Sequence, residues 1–358
     1  MAEYKNQHYV PVFLLKNFDN GDEKTTNCFV IKQNKLIKNA SISNQASEDY
    51  FYGNDKIIEK LLGDLETIFS HLIKIIISAN ILPSKGSFEH FLLNLFVVSS
   101  WARTRHSGEA MDEQIDKMMK AVYKHDPKFE GKPEDVKIGI KNPASFTLSI
   151  AMQNVKYIAD LEYKLIINKT SKEFVISDNP VIKNNSFLRS RNWFGSQVGM
   201  IAKGIQYFFP LSPKYSIILY DQSCYKVGNR KDKIIISKEE KDITAINTMQ
   251  ALNANEVLYF SQNVELSYVE SITRKRNNSL RDEKVKVKEY IEAGSTKEKG
   301  SSLLVASVQN FDFDLNLSFI KNTKKSKKLV LDNRAVQVRN QKLENMLKED
   351  READVGNM

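Results

Sequence analysis

The periodicity of the apolar residues changes near residue 160, and no other feature limits the fold as much. Before that point they recur at helical spacing; after it they gather in short strand-like runs. Ile57, Ile58, Leu61, Leu62, Leu65, Ile68, Phe69, Leu72 and Ile76 mark one helix, with Asp55 placed to cap its start and Leu82–Pro83 ending it. Phe88, Phe91, Leu92, Leu95, Phe96, Val98 and Trp101 give a second, from about Phe88 to Arg105, with one broad apolar face. The Pro83–Lys85 turn predicts that the two pack as an antiparallel pair. Further helices are expected in the first half of residues 107–139 and across "SFTLSIAMQNVKYIADL".

Strands come in clusters. "TTNCFVIKQNKLIKNA" reads as a hairpin around Gln33–Lys35, and "EYKLIINKTSKEFVIS" as another turning near Lys169–Lys172. "GIQYFFPLSPKYSIILYD", "KIIIS" and "EVLYFS" add strands, with one late helix over "KEEKDITAINTMQALNAN". Clustered strands predict an α+β fold rather than a doubly wound one: a helical part at 53–160 packed on a mostly antiparallel sheet at 161–262, with a small β-rich C-terminal extension. Residues 263–300 read as a charged linker. Residues 301–358 read as a small hairpin module in which Phe311–Phe319 alternates apolar and polar residues and pairs with "KKLVLDNRAVQV", before a helix that frays.

Several chemistries lack their motifs. No P-loop, dinucleotide fingerprint, nucleophile elbow or His-Glu-x-x-His is present, so no nucleotide cofactor is expected. Cys28, Cys224 and the five scattered histidines have no zinc-ligand spacing. The N-terminus lacks a signal-peptide pattern, and "HLIKIIISANIL" is too short and too interrupted to span a bilayer; a cytoplasmic protein without membrane contact is expected. Of the net charge of +9, five units lie from residue 270 onward, where 19 Lys and Arg face 14 Asp and Glu. The excess is largely a property of the tail, which permits an acidic partner without demanding one.

The segments "QHYVPVFLLKNF", "EDYFY", "WARTR", "FVISDNPV", "FFPLSP" and "LNANEVLYFS", in this order over residues 6–262, resemble the DUF4238 family of bacterial proteins. The family's opening motif matches at Gln7, His8, Tyr9, Val10 and Pro11, its middle motif at Ser177, Asp178, Asn179 and Pro180, and its later ones at Pro210, Leu211, Ser212 and Asn253. The family is named as a domain of unknown function, so the resemblance implies relatives and no reaction.

The candidate residues each admit two readings. His8 titrates near neutrality and suits a general base, or it holds a backbone carbonyl. Asp178 can bind a divalent ion, or accept turn amides. Asn179 and Asn253 can meet a substrate, or cap. Arg103 and Arg105 can grip phosphate with His106 in "RTRH", or complement a helix C-terminus. The functional readings combine into a metal-dependent phosphodiester hydrolase, nuclease-like, in bacterial defence or stress. There Asp178 and Glu48 hold Mg or Mn, His8 moves a proton, Arg105 neutralises phosphate, and Arg103, Gln7 and Asn253 bind substrate. The alternatives are a nucleic-acid- or protein-binding module using the lysine-rich "KNTKKSKK", and a homo-oligomer joined through the C-terminal module.

Overall fold

The computed structural model describes residues 5–54, 57–126, 128, 131–277, 284–291, 302–308 and 313–356; Asp55 and Phe311 lie outside them. The chain begins with β1 (Asn6–His8), α1 (Val12–Lys16), the hairpin β2 (Thr25–Val30) and β3 (Lys35–Ser41), and β4 (Ser47–Asp49). Helices α2 (Ile57–Ala79), α3 (Phe88–Ala102), α4 (Arg105–Tyr123) and α5 (Pro143–Gln153) follow. Strands then dominate: β5 (Glu162–Asn168), β6 (Ile176–Ser177), β7 (Ile182–Asn184), short α6 (Ser186–Arg189), β8 (Gln206–Ser212), β9 (Tyr215–Tyr220), β10 (Tyr225–Val227) and β11 (Ile234–Ser237). The remainder is α7 (Glu240–Asn253), β12 (Val257–Phe260), α8 (Leu266–Asn277), β13 (Val285–Ile291), β14 (Ser302–Val308), β15 (Ile320–Asn322), α9 (Lys324–Lys327) and α10 (Gln341–Gly356). The fold is α+β, and among its strand pairs only β11–β5 is parallel in the described residues.

Two sheets organise it, in the orders β3-β2-β12-β6 and β11-β5-β9-β8-β7. In the four-stranded sheet, successive residues face opposite sides, as the strand period requires. Cys28, Ile176 and Tyr259 enter the main core with α2 and α3, while Phe29, Val175, Leu258 and Phe260 pack under α7 and α8. Helices α2 and α3 meet through Phe69 and Phe96, whose ring centroids lie 5.2 Å apart. Among the described residues no helix is long and apolar enough to cross a membrane.

Three sequence expectations change. Residues 162–168 and 174–178 do not form one hairpin: β5 pairs with β9 and β11, whereas β6 joins the other sheet beside β12. The turn between them is closed by the Asn168 side chain, which binds Thr170 and Lys172, and it directs the chain away. The expected linker at 263–300 contains α8 and β13, and β13 pairs with β14 against α4. The segment after Phe313 keeps its alternation, with Leu315 and Leu317 buried, yet it lies on the core instead of pairing with residues 327–338. Asp242 in α7 accepts from the Ser318 N–H at 2.9 Å, β15 pairs with β10, and the lysine-rich turn is α9, capped by Thr323.

Helix α7 is buried along most of its length yet carries Asn247, Gln250 and Asn253, all turned toward residues 173–181. Asn247 accepts from Val175 N–H (3.0 Å) and donates to Glu173 C=O (2.8 Å), the two groups a neighbouring parallel strand would take opposite Phe174. Gln250 accepts from Ser177 N–H (3.0 Å) and donates to Pro180 C=O (2.7 Å). Asn253 donates to the carbonyls of Asn179 (2.5 Å) and Val181 (3.2 Å). Spaced three apart, the carboxamides climb one face of the helix and complete the hydrogen bonding of an edge that no strand covers.

Gln250→Leu leaves buried backbone groups at Ser177 and Pro180 without partners, so we expect a loss of about 2–4 kcal/mol in stability. Gln262→Leu, at an exposed position, should stay within about 0.5 kcal/mol. Urea unfolding midpoints at constant m-value test the difference.

Candidate functional site

The opening motif is a structural tie. Buried Gln7 accepts from Tyr52 N–H at 2.6 Å and donates to Gly53 C=O at 3.3 Å. Arg103, also buried, donates to the Tyr52 hydroxyl (3.1 Å), Glu66 (2.6 Å) and the backbone carbonyl of His8 (2.5 Å). The His8 ring meets Ser43 C=O at 3.1 Å, and burial lowers its pKa in the neighbourhood of Glu66 and Arg103.

"WARTR" is a helix junction, where a single helix through Arg105 was expected. α3 stops at Ala102, Arg103 is its C-cap, and Thr104 caps α4 by accepting from Ser107 N–H at 3.2 Å. Arg105 therefore opens α4, and the helix C-terminus expected to hold it lies two residues earlier. Its guanidinium pairs with Glu48 at 2.5 Å, lies 3.9 Å from Glu256 and covers the Tyr9 ring at 5.6 Å.

Asp178 is buried beside this group. Its carboxylate accepts from the N–H groups of Asn255 (2.7 Å), Glu256 (2.7 Å) and Val257 (3.1 Å). Burial pushes its pKa up to about 6, against the pull of those three amides and of Arg276. Asp178 and Glu48 thus engage different partners, and among the described residues no group of three His, Cys, Asp or Glu side chains is placed to hold a metal.

Asn179 and Asn253 lead elsewhere. Asn179 donates to Asn253 C=O at 3.0 Å, and Thr104 Oγ1 lies 3.3 Å from its Oδ1, so the turn is bolted to the start of α4. Both asparagines border a partly open cavity of about 270 Å³ lined by α3, α4, α5, β7, the loop at 196–200 and β14. The loop is held close: a Cβ on Gly195 would fall 1.8 Å from Ala335 C=O, and Arg339 donates to Met200 C=O at 2.7 Å. β14 is carried in by its hairpin partner, to which Lys117 donates at Val285 C=O (2.7 Å).

Lys183 and His106 enter this cavity. In β7, Ile182 and Asn184 are fully buried, so Lys183 projects from the opposite side of the strand. Its ammonium stands 3.5 Å from the centroid of the Trp101 ring and has no carboxylate or hydrogen-bond partner among the described residues. Burial lowers its pKa to about 7. His106, on the first turn of α4, also lacks a hydrogen bond there; burial, with Lys284, Lys183 and Arg276 nearby, drives its pKa down to about 3. The imidazole is neutral at pH 7. His8, Asp178 and Arg105 do not line the cavity. Lys183 was passed over in the sequence because one lysine in "VIKNNSF" looks like a strand's solvent face; only the tertiary fold covers that face.

The DUF4238 profile, described as a protein of unknown function, matches residues 6–263. The chain belongs to the DUF4238 family. No curated protein and no solved structure matches it. The family region thus supplies most of the cavity wall, while Ala306 and Val308 come from beyond it.

A lysine whose folded pKa lies below its unfolded value of 10.5 destabilises the fold wherever the unfolded chain holds the extra proton. We expect Lys183→Met to exceed the wild type in stability at pH 7. The gap should close by up to about 1.4 kcal/mol per pH unit toward pH 10. Urea unfolding of both proteins across this range measures it.

Proposed function

We propose that this DUF4238 protein binds a small organic anion in the cavity beneath Lys183. The observation that carries the reading is the ammonium on the Trp101 face, unpaired among the described residues. A half-buried cation without a counter-charge is costly, and a bound carboxylate or phosphate at about 4 Å would turn that cost into an attraction of roughly 4 kcal/mol at an effective dielectric near 20. The remaining walls suit the rest of such a ligand. Met111, Val198, Met200 and Val308 offer an apolar bed, and Gln114 and Ser196 offer polar groups. An anionic substrate class is also what the phosphodiester-hydrolase reading of the sequence requires, but that reading asks Asp178 and Glu48 to share an ion. The cavity supplies a fixed cation in place of a metal.

The test is thermal denaturation at pH 7 with acetate, benzoate, succinate, inorganic phosphate and glycerol phosphate, each against a neutral analogue. At least one anion should raise the melting temperature, with about 2.7 kcal/mol gained at a hundredfold excess over Kd. Lys183→Met should abolish the gain. The proposal fails if no anion stabilises the protein, or if the gain survives in Lys183→Met.

A further inference from the structure

The cavity holds an amine that can do more than attract charge. Lys183 is fixed on a strand, reaches a partly open cavity and meets no acid among the described residues that would keep it protonated. Several more exposed lysines pair with carboxylates, as Lys85 does with Glu162 and Lys117 with Glu113. A carboxylate holds an ammonium in its charged form, whereas an aromatic face contributes only about 2 kcal/mol in a dry site. His106 shares the same walls and keeps its ring nitrogens free of hydrogen bonds among the described residues. An amine and a neutral imidazole facing one small cavity form a pair suited to addition at a carbonyl carbon.

We infer that Lys183 forms an imine with a carbonyl-bearing anion, an aldehyde acid or 2-oxo acid, bound in this cavity. The inference rests on the anion-binding reading of the same site and names its substrate class. The neutral Lys183 amine attacks the carbonyl carbon with its nitrogen lone pair, and one nitrogen proton passes by way of His106 to the former carbonyl oxygen to give a carbinolamine. The second nitrogen proton passes by the same route to the hydroxyl. The carbon–oxygen bond then breaks, water departs and the C=N bond forms, with no oxidant or reductant consumed. Trp101 walls off one side of the amine. The imine is reversible, so the chain can use it to retain the ligand or to activate the carbon next to the carbonyl.

The experiment uses the full chain with glyoxylate or pyruvate at pH 7.5, cyanoborohydride to trap the imine, and peptide mass mapping at less than one adduct per chain. The expected result is an adduct on Lys183 that forms at least about tenfold faster than on any surface lysine, because far more of its amine is unprotonated at this pH. His106→Gln should slow that trapping several-fold. Labelling spread evenly over surface lysines, or an unlabelled Lys183 in a protein that anions still stabilise, overturns the imine and leaves the binding reading intact. Lys183→Arg keeps the charge and removes the nucleophile. It should retain anion-dependent stabilisation and lose selective trapping, and selective trapping within the cavity that persists in this variant overturns the assignment.

Discussion

The carboxamides of α7 close an edge that would otherwise be exposed inside the protein. Residues 173–181 run along the border of the four-stranded sheet, and their outward N–H and C=O groups lie in a region without water-facing surface. Each such group left unpaired costs about 1–3 kcal/mol. Asn247, Gln250 and Asn253 satisfy six of them, so the helix must be polar on the side it buries. That explains why α7 lacks the usual amphipathic pattern although it is one of the most deeply buried helices. It also ties the middle motif to the late one: Asp178 holds the amides after α7, and Arg276 caps the helix carbonyls at Ala251 and Ala254.

From that lock the cavity follows. The turn at Asn179–Pro180 cannot shift without breaking bonds to Asn253 and Gln250, and through Thr104 it also fixes where α4 begins. β7 leaves the turn with its direction set, which places Lys183 over Trp101 at the end of α3. The polar residues of the turn are thus positioning elements, and the group they position lies three residues further on.

Periodicity made α2, α3, the β2–β3 hairpin and β8–β9 legible, because each buries a broad apolar stripe or alternating face. Pairing was harder to read. Residues 162–168 and 174–178 are both apolar strands separated by a turn, which is the sequence of a hairpin; what separates them is their burial on both faces, a condition satisfied only by partners far along the chain. The same holds for the C-terminal segment. Its alternation correctly marked Leu315 and Leu317 as inward, but alternation says nothing of whether a neighbouring strand or a helix such as α7 receives the backbone. "WARTR" misled for a local reason: Thr104 takes the N-cap of α4, a break that the run of surrounding helix formers hides.

Five of the residues first singled out for chemistry share a trait. Gln7, Arg103, Asp178, Asn179 and Asn253 are polar, sit beside apolar runs and are buried, and every one of them is engaged by a backbone group. Burial selects for that outcome, since a polar group survives inside a protein when the fold itself satisfies it. Polarity in an apolar context therefore marks structural ties at least as readily as sites. Lys183 inverts the pattern: its context is unremarkable in sequence, and among the described residues its hydrogen-bonding capacity is unmet where it faces the cavity that it shares with His106. A half-buried cation with no counter-charge among the described residues is held at a thermodynamic cost that the apolar substitution Lys183→Met would remove, and the proposed anion would offset that cost.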